Sequence, residues 1–199
     1  MSTPKLEIRA LFTEQNIAVY AAFSDSIATV ALQNQQLLPP FVYTRMTWIK
    51  PSFLWLMYRS DWGNRSGMTR ILRIWITRQA WEKALQEAIL TTPDYPIYPN
   101  KKVWRKKLEQ TGIRVQWDPE RAIDNKKLNF KSIQVGITGK YSEVYAKKWI
   151  TKIEEVTPLA HSIQNLMFQK KLTAARALLP KELLYPTPAS IRKVLAMEP

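Results

Sequence analysis

Six consecutive apolar or aromatic residues, Phe53-Leu54-Trp55-Leu56-Met57-Tyr58, constrain this chain more than any other stretch. Pro51 just ahead of them suits the first turn of a helix. A helix with no polar stripe has to be covered on most of its sides, so other layers of structure must pack around it. The chain is long enough to supply them, because at 199 residues folding removes roughly 70% of the unfolded surface from water. With 46% apolar and 11% aromatic residues, the composition is globular in spite of its charge.

Around that helix the periodicity predicts strands and helices in mixed order. Ile8, Ala10 and Phe12 alternate, as do Ile17, Val19 and Ala21 after a polar break, which reads as an N-terminal hairpin. Ser24 is placed to cap a helix through about Gln33. Residues 59–68 read as a loop and 71–76 as a strand, after which Trp81, Leu85, Ala88 and Ile89 fall at helical spacing. Residues 101–110 read as a short basic helix. Further strands are predicted at 113–117, running into Asp118-Pro119-Glu120-Arg121, and at 133–137. Further helices are predicted after Gly139, from Thr157-Pro158, and over 173–179. The tail from Leu184 onwards is expected to wrap the surface. Strands and crossover helices do not alternate regularly, so the expected class is α+β: a mixed, largely antiparallel sheet with helices packed around it, in one domain over residues 1–199.

The composition excludes several chemistries. Without Cys there is no disulfide framework, thiolate nucleophile or Cys-ligated metal, and a single His, His161, cannot build an imidazole-rich centre alone. No metal ligands are assigned, although carboxylates leave magnesium open, and acid/base work falls to carboxylates, Lys or Tyr. His161 lies off the apolar stripe of its helix and is expected to be exposed. The longest uninterrupted apolar run, Ile17 to Phe23, has seven residues, against the ~20 that a membrane-crossing helix needs. The chain opens without an apolar stretch of signal-peptide length, so a cytoplasmic protein with no membrane partner is expected.

Charge is where the sequence points to function. Lys and Arg number 30 against 16 Asp and Glu, a net charge of +14. Between Arg45 and Arg78 lie seven cations against the single Asp61, interleaved with Trp48, Trp55, Trp62 and Trp75. Guanidinium forks suit phosphate and indole faces suit bases, so the expected partner is a nucleotide or a nucleic acid. In this reading Arg45, Thr47, Lys50 and Arg59 hold phosphate, helped by the helix N-terminus near Ser52, and Trp48 and Trp62 stack. Asp118 and Glu120 are the candidate catalytic carboxylates, with Gln116, Arg121 and Gln134 lining the same cleft. A second basic run, residues 101–107, suits a solvated helix face as well as a binding surface.

Two alternatives stay open. The composition permits a nucleotide-dependent transferase, such as an ADP-ribosyltransferase-like enzyme with NAD or another nucleotide as cofactor. It equally permits a structural or interaction module in which the cations are solvated and the Trp residues are core.

Several blocks also carry a resemblance. Ile8-Arg9-Ala10, Val19-Tyr20, Pro40-Phe41, TRMTWIKPSFLWLMYRSDW (44–62), VQWDPER (115–121), SIQVGI (132–137) and ALLPKELLYP (177–186) together resemble domain-of-unknown-function family 4291 over nearly the whole chain. The resemblance implies a single-domain copy whose signature blocks include the two motifs singled out above. It brings no catalytic residue with it.

Overall fold

The computed structural model describes residues 5–94 and 96–197. In chain order the elements are β1 (Lys5–Leu6), β2 (Arg9–Ala10), β3 (Asn16–Phe23), α1 (Asp25–Asn34), β4 (Thr47–Ile49), α2 (Phe53–Ser60), β5 (Arg70–Thr77), α3 (Arg78–Gln86) and β6 (Ile89–Leu90). They continue with α4 (Lys101–Gln110), β7 (Ile113–Arg121), β8 (Lys127–Ile137), α5 (Lys140–Val144), β9 (Ile150–Glu155), α6 (Thr157–Phe168), α7 (Leu172–Ala177), β10 (Leu183–Leu184) and α8 (Ala189–Val194). After α5 the helix widens into a π-helical segment, Tyr145–Trp149.

Among the described residues two sheets carry the fold. In one, β5 lies between β3 and β9, antiparallel to both. In the other, the long β8 pairs antiparallel with β7 on one edge. Its other edge takes β1 in parallel at Phe130 and Lys131 and β4 antiparallel from Val135 to Ile137, while β6 runs parallel to β7. A short ladder joins β2 to β10. The result is a single α+β domain with mixed, largely antiparallel sheets.

The two sheets meet where Tyr20 and Lys50 exchange backbone hydrogen bonds of 2.6 and 3.1 Å. Alternation then sorts the second sheet's faces. Ile113, Val115, Ile133, Val135 and Ile137 join the main core with Val19, Ile74 and Trp81, and the opposite face is left with polar side chains. Helix α2 is enclosed, as its composition requires. Phe53, Leu56 and Met57 pack in a second core with Tyr20, Ile71, Ala160 and Ile163, and Tyr58 and Arg59 are the residues of α2 that remain exposed.

Several local expectations are corrected. The N-terminal hairpin shrinks to one bridge, Phe12 with Ile17, because Arg9 and Ala10 pair with Leu184 and Leu183 instead. Helix α3 stops at Gln86, and Ile89 enters β6 beside Arg114. Ser24 precedes α1 without a side-chain cap bond. Strand β7 extends beyond residue 117, running on through Asp118-Pro119 to Arg121 with a register shift between Pro119 and Arg121. Strand β9 went unforeseen. In the tail, Tyr185, Ile191 and Leu195 are buried in the main core, and the Leu195 carbonyl accepts a 3.0 Å bond from the Trp117 indole.

Candidate functional site

The polar face of the second sheet, the loop before β4 and the outer side of α2 enclose a cleft of about 710 Å³. Its floor follows from register. Gln116 stands opposite Gln134 on the β7–β8 ladder, and Asp118 lies two residues further along the same face of β7. Both amides therefore reach the Asp118 carboxylate: Gln116 donates at 2.9 Å and Gln134 at 2.5 Å, one to each oxygen. Two neutral donors orient this carboxylate without neutralising its charge.

Trp48 pairs with Gly136 across β4–β8. A Cβ on that glycine would lie 3.0 Å from the indole and 2.8 Å from the Met46 sulfur, so glycine is what lets the ring approach the sheet this closely. The indole is half-buried at the cleft wall.

Helix α2 supplies the opposite wall. Trp55, Tyr58 and Arg59 lie three and four residues apart, on one face. Arg121 stacks its guanidinium 3.8 Å from the Tyr58 ring centre and donates to the Asn125 carbonyl at 3.1 Å, while its buried Nε has no partner. Arg45 and Arg59 are exposed, and neither guanidinium is ion-paired among the described residues. Beneath them Lys50, 4% exposed, holds its ammonium 4.8 Å from the Trp55 ring centre. Burial and the charge of Arg59, against an opposing pull from Asp118, lower its pKa to about 8.

The cleft thus brings together Arg45, Thr47, Trp48, Lys50, Arg59, Gln116, Asp118, Arg121 and Gln134, residues spread over 90 positions of sequence. Trp62 and Glu120 stand elsewhere. Trp62 is 4% exposed in the core beneath α2, edge-on to Phe53 at 6.4 Å, with no face left for a base. Glu120, 5% exposed, turns away from the cleft wall and accepts the Arg121 N–H at 2.7 Å. Burial raises its pKa against the hydrogen bonds of the Arg121 backbone, Ser52 and Ser132.

The N-terminus of α2 is not free for a ligand. The Ser52 hydroxyl accepts from the Trp55 N–H at 3.1 Å, and Glu182, in the segment leading to β10, accepts from the Phe53 N–H at 2.7 Å. Burial, reinforced by Glu120, pushes the Glu182 carboxyl well above the ordinary range. The first and third N–H groups of the helix are thus taken by protein acceptors. His161 is exposed and apart from this site.

Sequence reasoning missed Trp55, Tyr58 and Glu182. The first two had a signal: Arg59 follows Trp55 by four residues, so the face that carries the cation also carries both rings. Glu182 had none, being 129 residues from the helix end it caps.

Among the described residues no group of three or more His, Cys, Asp or Glu side chains is placed to hold a metal ion, and no helix is long and apolar enough to cross a membrane. The sequence profile of a family described as a domain of unknown function (DUF4291) matches residues 7–185. No curated protein matches the chain.

Proposed function

The chain belongs to the DUF4291 family, and on the chemistry of its cleft we propose that it binds a nucleotide, or the end of a nucleic acid, through phosphate. The observation that carries this reading is an imbalance of charge. Arg45, Lys50, Arg59 and Arg121 line the cleft, where Asp118 is the single carboxylate among the described lining residues. Surface arginines usually find acids or solvent; Arg45 and Arg59 line a concave site with no ion pair among the described residues. A phosphate ester supplies the missing acceptors.

Size and shape add support. A cleft of about 710 Å³ falls within the ~300–1,000 Å³ typical of small-molecule sites, which suits one nucleotide and excludes a duplex from its interior. The half-buried Trp48 indole offers a flat apolar surface for a base. The transferase reading gains nothing from Glu120, which lies outside the cleft, and the purely structural reading leaves Arg45 and Arg59 unexplained.

A thermal-shift series with AMP, ATP and a 5′-phosphorylated single strand tests it. A ligand present at 100 times its Kd adds about 2.7 kcal/mol of stability. For a strand contacting ~4 phosphates, log K falls with log salt at a slope of about −3. Absence of stabilisation by every phosphate-bearing ligand would remove the proposal.

A further inference from the structure

Lys50 differs from the other cleft cations. Arg45 and Arg59 stand at the rim in contact with solvent, whereas Lys50 is 4% exposed, and its backbone is held on both sides by Tyr20. Its ammonium lies over the Trp55 ring and makes no hydrogen bond or ion pair with any described residue, while the residue itself lines the cleft. The charged groups that act on it are Arg59 from α2 and Asp118 from β7, while Arg121 from β7 and Arg45 from the loop before β4 line the same cleft. The Asp118 oxygens are already engaged by Gln116 and Gln134. A buried amine with an apolar ring beneath it and an open cleft above it is poorly built for holding phosphate, a task the arginines around it do better. It is well built for nucleophilic attack, which needs a neutral amine, a state that desolvation and a neighbouring cation each favour.

We propose that Lys50 is a covalent residue whose amine condenses with the carbonyl carbon of a phosphorylated sugar held open-chain in the cleft. This rests on the phosphate-binding reading above and names the substrate class of the same site. The neutral amine's lone pair forms the C–N bond, and the carbonyl π bond breaks toward oxygen. Both amine hydrogens then leave with that oxygen as one water molecule, so a C=N bond replaces the C=O bond. The step is a condensation and needs no oxidant or reductant. With a pKa near 8, Lys50 has on the order of 300-fold more free amine at pH 7 than an ordinary lysine.

Two sources offer the same chemistry: a free sugar phosphate, and an abasic position in a nucleic acid, where loss of the base exposes the sugar aldehyde. The test incubates the full chain with 2-deoxyribose 5-phosphate, or with an oligonucleotide carrying one abasic site, in the presence of cyanoborohydride. Adducts are read by intact mass and peptide mapping. The expected result is one adduct, on Lys50, absent in Lys50→Arg and at least tenfold slower with unphosphorylated deoxyribose. Its rate should rise about fivefold from pH 7 to pH 8 and then level off. The more reactive of the two probes identifies the source.

Adducts spread over exposed lysines with none on Lys50 would overturn the inference, and this map is read on the wild-type chain even if Lys50→Arg fails to fold. An ATP titration by thermal shift separates the two proposals. Stabilisation by ATP without a Lys50 adduct leaves phosphate binding standing and removes the covalent role. A phosphate-dependent Lys50 adduct without stabilisation by ATP keeps the covalent role and replaces nucleotide with sugar phosphate.

Discussion

Residues 45–59 and residues 70–78 each carry three cations, and in the sequence the two stretches look alike. In the fold they reach opposite electrostatic states. Arg70, on β5, engages Glu155 through two nitrogens at 2.5 and 2.6 Å and also meets Asp25. Arg73 lies 3.6 Å from Glu154, and Arg78 donates to the Tyr185 hydroxyl at 3.0 Å with Glu82 at 3.7 Å. Arg45, Lys50 and Arg59 have no such partners among the described residues. The acids of the second stretch come from β9, α1 and α3, elements that pack beside β5, whereas among the described residues Asp118 alone brings a carboxylate to the cleft wall. Charge density along a chain therefore does not reveal a binding site. What separates the two stretches is the set of cations left over once neighbouring elements have brought their carboxylates.

That contrast can be broken in four ways. Replacing Lys50 should stabilise the protein: Lys50→Met removes a buried cation whose pKa has fallen to about 8, and unfolding free energy at pH 7 should rise by up to about 3 kcal/mol. The sign follows from protons bound, since between pH 8 and about 10.4 the unfolded chain holds a proton on this amine that the folded chain does not. Wild-type stability consequently climbs across that window, and the advantage of Lys50→Met should fade there in denaturant titrations. An unchanged difference would mean that the amine is not desolvated.

Next in size, Arg45→Ala combined with Arg59→Ala should weaken ATP binding about 100-fold, as each change removes a charge-assisted donor. The melting temperature without ligand should move little. A large drop in that temperature would move these residues into the paired class. Arg70→Ala is the converse, losing about 1–2 kcal/mol of stability with ATP affinity unchanged. Arg70 holds Glu155 below the usual carboxylate range, so this contribution is present above the unfolded Glu value near ~4.3 and is lost as pH falls through the lower folded value. The gap between wild type and Arg70→Ala should close in that acid window. The smallest effect expected is about a tenfold loss of ATP affinity in Trp48→Ala, consistent with one base stacking on one ring. Equal affinities for ATP and inorganic triphosphate in the wild type would show that the ring holds no base.

Much of the architecture could be read from local pattern. The alternation of Ile113, Val115 and Trp117 and of Ile133, Val135 and Ile137 located both central strands, and the unbroken apolar run 53–58 located the enclosed helix. Gln116 and Gln134 were recognisable as polar members of that alternation, on the face opposite the core. Strand β9 escaped because Ile150 to Glu155 holds only two apolar side chains and draws its identity from pairing with β5. Trp62 was misjudged for a related reason. Its composition suits stacking on a base, but the left-handed backbone of Asp61, Trp62 and Gly63 after α2 turns its ring into the core.

The amino-acid order by itself determined the class of fold, the excess of positive charge and the two blocks from which the cleft is built, because periodicity and composition act within a few residues of their source. Which cations stay unpaired, which carboxylate faces them and which closes the helix end were decided only in three dimensions. Those outcomes depend on partners as distant as Glu155 from Arg70 and Glu182 from Phe53, and an electrostatic interaction responds to separation in space, which position along a chain does not record.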